Sequence, residues 1–185
     1  MRPNLYYLCG YQSHSTQSPK YAYIQAAFAD CMTITPLDYP GSYDAQQCWN
    51  AFTQQVDTSQ PSVFMGSSLG GFWALHLANH YACPCMLLNP CCRPSLLAKK
   101  AHAHAQDAPL FEAFTAWERI QLHPQLARLV FLAKDDAVLD YREAMRDLPH
   151  DTEWVIYPSG GHTLWPKLPA IENRSRLFLQ EQALI

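Results

Sequence analysis

The chain carries one serine, one histidine and a short acidic run whose spacing suits nucleophilic acyl chemistry. Ser68 is the centre of Gly66-Ser67-Ser68-Leu69-Gly70, with Gly71 directly after. A serine oxygen attacks an acyl carbon only when a base takes its proton, and the base needs a carboxylate to orient it. The developing oxyanion then needs two hydrogen-bond donors. His162, after Gly160-Gly161, is the candidate base, with His14 as its main rival. The candidate acids lie in Lys134-Asp135-Asp136-Ala137-Val138, with Asp140 just beyond. Asp136 is preferred because it stands two residues before the apolar Val138, which can anchor the loop. The remaining aspartates then read as turn or helix-capping residues, and Ser67 as turn-forming. The donors expected are the backbone N–H of Leu69, just after the nucleophile, and that of Tyr11, assigned on position alone. Gly10, His14 and Trp165 are candidate substrate-binding residues.

These groups need rigid elements to bring them together. Six short apolar segments read as strands: Asn4–Cys9, Met32–Thr35, Ser62–Met65, Pro84–Asn89, Arg128–Ala133 and Glu153–Tyr157. They mostly do not alternate polar and apolar residues, as expected of strands buried on both faces. Helical stretches fall between and after them, near Lys20–Asp30, Tyr43–Val56, Leu69–His80, Pro94–Ala105, Leu110–Glu118, Tyr141–Leu148 and Pro166–Gln180. That alternation predicts an α/β fold: a mostly parallel sheet with helices on both faces, in a single domain over 1–185. Ligands of such sheets bind beyond the carboxyl ends of the strands. Ser68, Asp136, His162 and the Gly10 loop all follow strands. Of the seven glycines, all but Gly41 lie in three of these loops. The stretch 91–125 is longer than a crossover needs. It could fold as a small helical cap over the site with Phe111, Phe114 and Trp117 facing inward, or these aromatics could be plain core.

Composition excludes several classes. Net charge is −3 and charged residues make up 16%, so the chain has no basic footprint for nucleic acid or an anionic membrane. No apolar run approaches the length of a membrane span, and the reading is cytoplasmic. Seven cysteines, an odd number without an export signal, read as reduced thiols. Cys83-x-Cys85 and Cys91-Cys92 lack the paired Cys-x-x-Cys spacing of zinc sites. His102-x-His104 reads as a solvated helix face. Neither metal nor organic cofactor is expected.

Five blocks in order resemble the small bacterial α/β-hydrolase esterases of the YqiA/YcfP type. They are Tyr7-Leu8-Cys9-Gly10-Tyr11, Gly66 to Gly71, Asn89-Pro90-Cys91-Cys92-Arg93-Pro94, Asp136-Ala137-Val138-Leu139-Asp140-Tyr141 and Gly160-Gly161-His162. The order Ser68, Asp136, His162 is also that of α/β-hydrolase folds. The resemblance implies a minimal α/β-hydrolase fold and hydrolysis of short acyl esters or thioesters through an acyl-serine. It also favours Asp136 over Asp135 and marks Asn89, Pro90 and Arg93 as a feature near the site. Two departures stand out: Cys9-Gly10 replaces the family's His-Gly, and Lys134-Asp135-Asp136 replaces Thr-Gly-Asp. Cys9 itself reads as a small buried thiol. Two other functions stay open: acyl transfer by the same triad, and a non-catalytic protein that kept the scaffold.

Overall fold

A computed structural model describes residues 2–99 and 107–185. Six strands form one sheet: β1 (Asn4–Leu8), β2 (Thr33–Pro36), β3 (Ser62–Ser67), β4 (Cys85–Leu88), β5 (Arg128–Ala133) and β6 (Glu153–Tyr157). Their order is β2-β1-β3-β4-β5-β6, and every neighbouring pair is parallel. After β1 the chain builds outward to β2, then returns past β1 to β3 and continues the other way. The order therefore reverses between β1 and β3, where the exit loops diverge and leave a crevice.

Alternate residues of the strands feed two apolar layers. Tyr6, Leu8, Phe64, Leu87, Val130 and Leu132 face one side. There they meet α2 (Ala45–Thr53), α3 (Leu69–Tyr81) and α5 (Tyr141–Asp147). Leu5, Tyr7, Met65, Leu88 and Phe131 face the other side, against α1 (Pro19–Phe28) and α6 (Leu168–Glu181). Full burial on both faces explains the unbroken apolar runs; each large side chain so buried contributes on the order of 2 kcal/mol.

Local chemistry sets the helix boundaries. Ser18 caps α1 by accepting from the Tyr21 N–H, and Pro19 occupies the first turn, where its missing donor costs nothing. Asp44 caps α2 through the Gln47 N–H, so that helix starts after Tyr43, whose hydroxyl instead accepts the Gln12 N–H at 2.7 Å. The last helix starts at Leu168 because Leu164, in the left-handed region, leads into a separate 3-10 turn over Trp165–Lys167.

The helix expected over Pro94–Ala105 is a 3-10 stretch, Pro94–Lys99, as far as it is described. The remainder, with His102 and His104, lies outside the described residues. Next come α4 (Ala108–Ala113) and a 3-10 turn, Phe114–Ala116. The two readings of the aromatics here divide between residues. Phe114 and Trp117 pack on Trp73 with ring centroids 5.6 and 5.4 Å away, so they are core. Phe111 packs on Tyr11 at 5.0 Å and also lines the cavity described below.

Candidate active site

Ser68 joins β3 to α3 with φ 54° and ψ −122°, a conformation that costs a non-glycine residue on the order of 1–3 kcal/mol. The surroundings hold it there. Its N–H donates to the Leu88 carbonyl at 3.0 Å, and its own carbonyl accepts from the Cys91 N–H at 3.0 Å and the Gly71 N–H at 2.9 Å. The turn closes so tightly that a methyl group on Gly66 would strike the Gly70 carbonyl. One on Gly70 would strike the Leu8 and Cys9 carbonyls of the neighbouring β1 segment. Both positions need glycine because backbone approaches backbone there.

His162 follows β6, and its Nδ1 lies 2.8 Å from Oδ2 of Asp136. The Asp136 side chain is almost wholly buried, and its other oxygen accepts the Val138 and Leu139 N–H groups at 2.8 and 3.0 Å. Burial alone would raise this carboxyl's pKa. The bonds from His162 and the two amides outweigh it, and the pKa lies below the ordinary carboxylate value. Ionised Asp136 can only accept, so it fixes the proton on Nδ1 and leaves Nε2 as the basic nitrogen.

Asp135 has a different job. Its Oδ1 accepts the Gly160 and Gly161 N–H groups at 2.9 and 2.8 Å, binding the acid loop to the glycine turn. Asp140 caps α5 through the Arg142 N–H. Asn89 completes the frame from the end of β4. Its amide nitrogen donates to the Gly161 and His162 carbonyls, each at 3.0 Å, and its oxygen accepts the Ala133 N–H at 2.9 Å. Pro90 packs on Gly71, whereas Arg93 turns to Asp147 on α5 at 2.5 Å.

A cavity of about 630 Å³ opens over these loops, lined by Gly10, Tyr11, Ser68, Phe111, His162 and Trp165 among others. Gly10 lies against the serine: a β-carbon there would sit 3.3 Å from the Ser68 Cβ. Leu69 is the first residue of α3, so its N–H belongs to the helix-end donors without a carbonyl four residues earlier. The Tyr11 ring is wedged between Tyr43 and Phe111, with centroids 4.5 and 5.0 Å away. Burial, reinforced by the nearby Asp107 carboxylate, pushes the Tyr11 phenol up to about 12, which keeps it neutral.

Cys9 lines the same cavity, and burial raises its thiol, so it stays protonated. His14 is not brought to the cavity. Ser15 turns the chain by donating to Asp38 from both its N–H and its hydroxyl. That leaves His14 at the surface, capping the 3-10 turn Ser15–Gln17 and touching Thr16 at 2.9 Å.

No sequence signal singles out Lys20, the second residue of α1, whose Nζ donates to the Ser67 hydroxyl at 2.7 Å and which lines the cavity. Near a helix start, a lysine looks like any solvated residue. Ser67, expected to form the turn, instead ends β3 and serves as a hydrogen-bonding partner. Among the described residues no group of three or more His, Cys, Asp or Glu converges to hold a metal ion, and all seven cysteines are free thiols. Nor is any helix among them long and apolar enough to cross a membrane.

The model of an uncharacterised protein family, UPF0227, matches residues 4–165. The chain belongs to that family. No curated protein matches the sequence. Among solved structures, alpha/beta hydrolase domain-containing protein 10 from mouse superposes with a TM-score of 0.78 at 11% identity, over 97% of this chain and 90% of that one. A hydrolase from Agrobacterium vitis gives 0.77 at 17% identity, over 95% and 87%. An esterase of Pyrococcus furiosus gives 0.72 at 11%, over 96% and 82%. At such identities the likeness shows the fold, and this UPF0227 member has the α/β-hydrolase fold.

Proposed function

We propose that the protein is a serine hydrolase that cleaves carboxylic esters or thioesters of short acyl groups. One observation carries the reading. The strained Ser68 turn opens into the same cavity as His162, whose Nδ1 is held by Asp136 at 2.8 Å. A solvent-filled structural turn has no need of a strained serine beside an imidazole with a fixed tautomer.

In this reaction the Ser68 oxygen attacks the acyl carbon while His162 Nε2 takes its proton. The tetrahedral oxyanion is received by the Leu69 and Tyr11 N–H groups. The bond to the alcohol or thiol then breaks, and His162 returns the proton to that leaving group. Water, deprotonated by the same nitrogen, adds to acyl-Ser68; the ester bond to the enzyme breaks, Ser68 regains the proton and the free acid departs. Asp136 keeps its charge throughout and stabilises the imidazolium formed at each stage. The hydrolase and esterase names of the structural neighbours are consistent with this chemistry.

A fluorophosphonate probe followed by peptide mass mapping tests the reading. The expected result is one adduct, on Ser68, absent from His162→Ala. The companion variant, Ser68→Ala, should lose turnover of short acyl esters while keeping its thermal transition. No label on folded wild-type protein, or near-normal turnover by Ser68→Ala, would overturn the assignment.

A further inference from the structure

Lys20 has no part in the reaction just described. Its stem comes from α1 and its ammonium reaches the floor of the cavity, where it donates to Ser67 Oγ at 2.7 Å. Ser67 precedes the nucleophile, and consecutive Cα atoms are about 3.8 Å apart, so the positive charge lies within one short acyl chain of Ser68. An ammonium has three donors. Among the described residues Lys20 forms no ion pair with a carboxylate within 4.0 Å, and its one hydrogen-bond partner is the Ser67 hydroxyl. A half-buried cation with two spare donors facing a cavity is costly unless something polar fills the space.

The surrounding groups indicate what that is. Beside Lys20 the lining has a deep wall, where Tyr7, Cys9 and Ser67 are each nearly inaccessible, and an exposed one, Gln17 and Pro19. The rim nearer His162 includes Trp165 and Val138, which are 49% and 40% exposed. A leaving group must receive a proton from His162 and depart, which suits the rim. The acyl group stays behind on the enzyme, which suits the deep part. The Asp136 carboxylate acts on Lys20 electrostatically but lies beyond ion-pair distance and spends its oxygens on His162 and two amides. Cys9 is protonated, and Asp107 reaches the cavity beside Tyr11. Burial lowers the Lys20 ammonium to about 8, which still leaves it mostly charged at neutral pH. The N-terminal end of α1 adds a field of the same sign.

Resting on the acyl-serine reading, we infer that Lys20 selects acyl chains that end in a carboxylate, so that the preferred substrates are half-esters or half-thioesters of short dicarboxylic acids. The Lys20 ammonium would bind the distal carboxylate by charge-assisted hydrogen bonds while Ser68 attacks the near carbonyl. The chemistry at the serine is unchanged; Lys20 contributes specificity.

The test compares kcat/KM for the 4-nitrophenyl half-ester of adipic acid with that for the 4-nitrophenyl hexanoate of equal chain length, after subtracting spontaneous hydrolysis. Wild-type protein should favour the acidic ester by tenfold or more. Lys20→Met should lose that preference and keep or improve turnover of the neutral ester, while Lys20→Arg should retain most of it. Ser67→Ala, which frees the ammonium without removing it, should also retain it. Free adipate should slow fluorophosphonate labelling of wild type but not of Lys20→Met. A wild-type preference for the neutral ester, or a ratio unchanged in Lys20→Met, overturns the assignment of Lys20. Ser68 labelling in those same samples would leave the hydrolase reading standing; its absence from wild type would sink both.

Discussion

Buried polar side chains occur at both ends of the sheet, and the two ends use them differently. At the entry end, Arg128 opens β5 with its side chain almost fully buried, donating to Asp151 at 2.6 Å and to Thr152 at 3.3 Å. Asn4 opens β1 and donates to the Tyr6 hydroxyl, which in turn accepts the Asp57 N–H at 2.8 Å. These bonds tie the strand starts to the loops beside them, and the cavity over the site lies elsewhere. At the exit end the buried side chains of Asn89 and Asp136, with the exposed Asp135 beside them, are bonded at least as thoroughly, yet their bonds converge on the loop that carries one imidazole. Burial of polar groups alone therefore does not mark a site. Convergence on a reactive group beside a cavity does.

The largest effect should come from breaking the convergent end at its centre. Asp136→Asn presents an amide where a carboxylate held the imidazole, and the opposite tautomer is then favoured. Ester turnover should fall by roughly four orders of magnitude, measured as kcat with an unchanged fold by circular dichroism. The same variant has a signature in acid. Because the folded-state pKa of Asp136 is depressed, its stabilising contribution is present above the ordinary value of 3.8 and is lost as pH falls through the lower folded value. Urea unfolding of Asp136→Asn should accordingly lose less stability over that window than wild type does. Equal losses would mean that the carboxylate is not held as described.

Next in size is Asn89→Ala. It leaves the Ala133 N–H and the Gly161 and His162 carbonyls without their partner, which should cost about 2–4 kcal/mol in urea unfolding. Because the His162 backbone loses its tether, kcat should fall at least tenfold while fluorophosphonate still reaches Ser68. A variant that loses stability but keeps kcat would reduce Asn89 to a structural role.

The smallest effect belongs to the entry end. Arg128 pairs with an Asp151 that is 60% exposed, and one of its own terminal nitrogens is buried with no hydrogen-bond partner among the described residues. Arg128→Met should change stability by only about 1 kcal/mol, since a well-packed apolar replacement often offsets the loss of a buried ion. Its kcat/KM should match wild type. A fall in activity as large as that of Asn89→Ala would erase the distinction between the two ends.

Much of this was legible in the sequence because the constraints are local. Gly66 is demanded by backbone contact within one turn, and β5 runs over the expected residues because both its faces are buried. Asp136 could be preferred over Asp135, but the work of Asp135, gripping amides of Gly160 and Gly161, is a long-range fact of loop packing. His14 pointed to the cavity by position until Ser15 and Asp38 turned it outward. Lys20 gave no cue, since nothing nearby in the chain reveals that α1 starts beneath Ser67. What the sequence withholds is how segments far apart in the chain meet.

That distance also bears on how the protein is made. Ser68, Asp136 and His162 follow β3, β5 and β6, and β6 is an edge strand added through a parallel pairing with β5. Parallel pairings close long loops and form slowly. The imidazole therefore takes its place only once that edge strand docks, whereas the serine turn needs only β1, β3 and β4, whose Leu8, Cys9 and Leu88 carbonyls it meets. In a refolding experiment, fluorophosphonate reactivity should return later than far-ultraviolet ellipticity, so the nascent chain stays chemically silent until its sheet is complete.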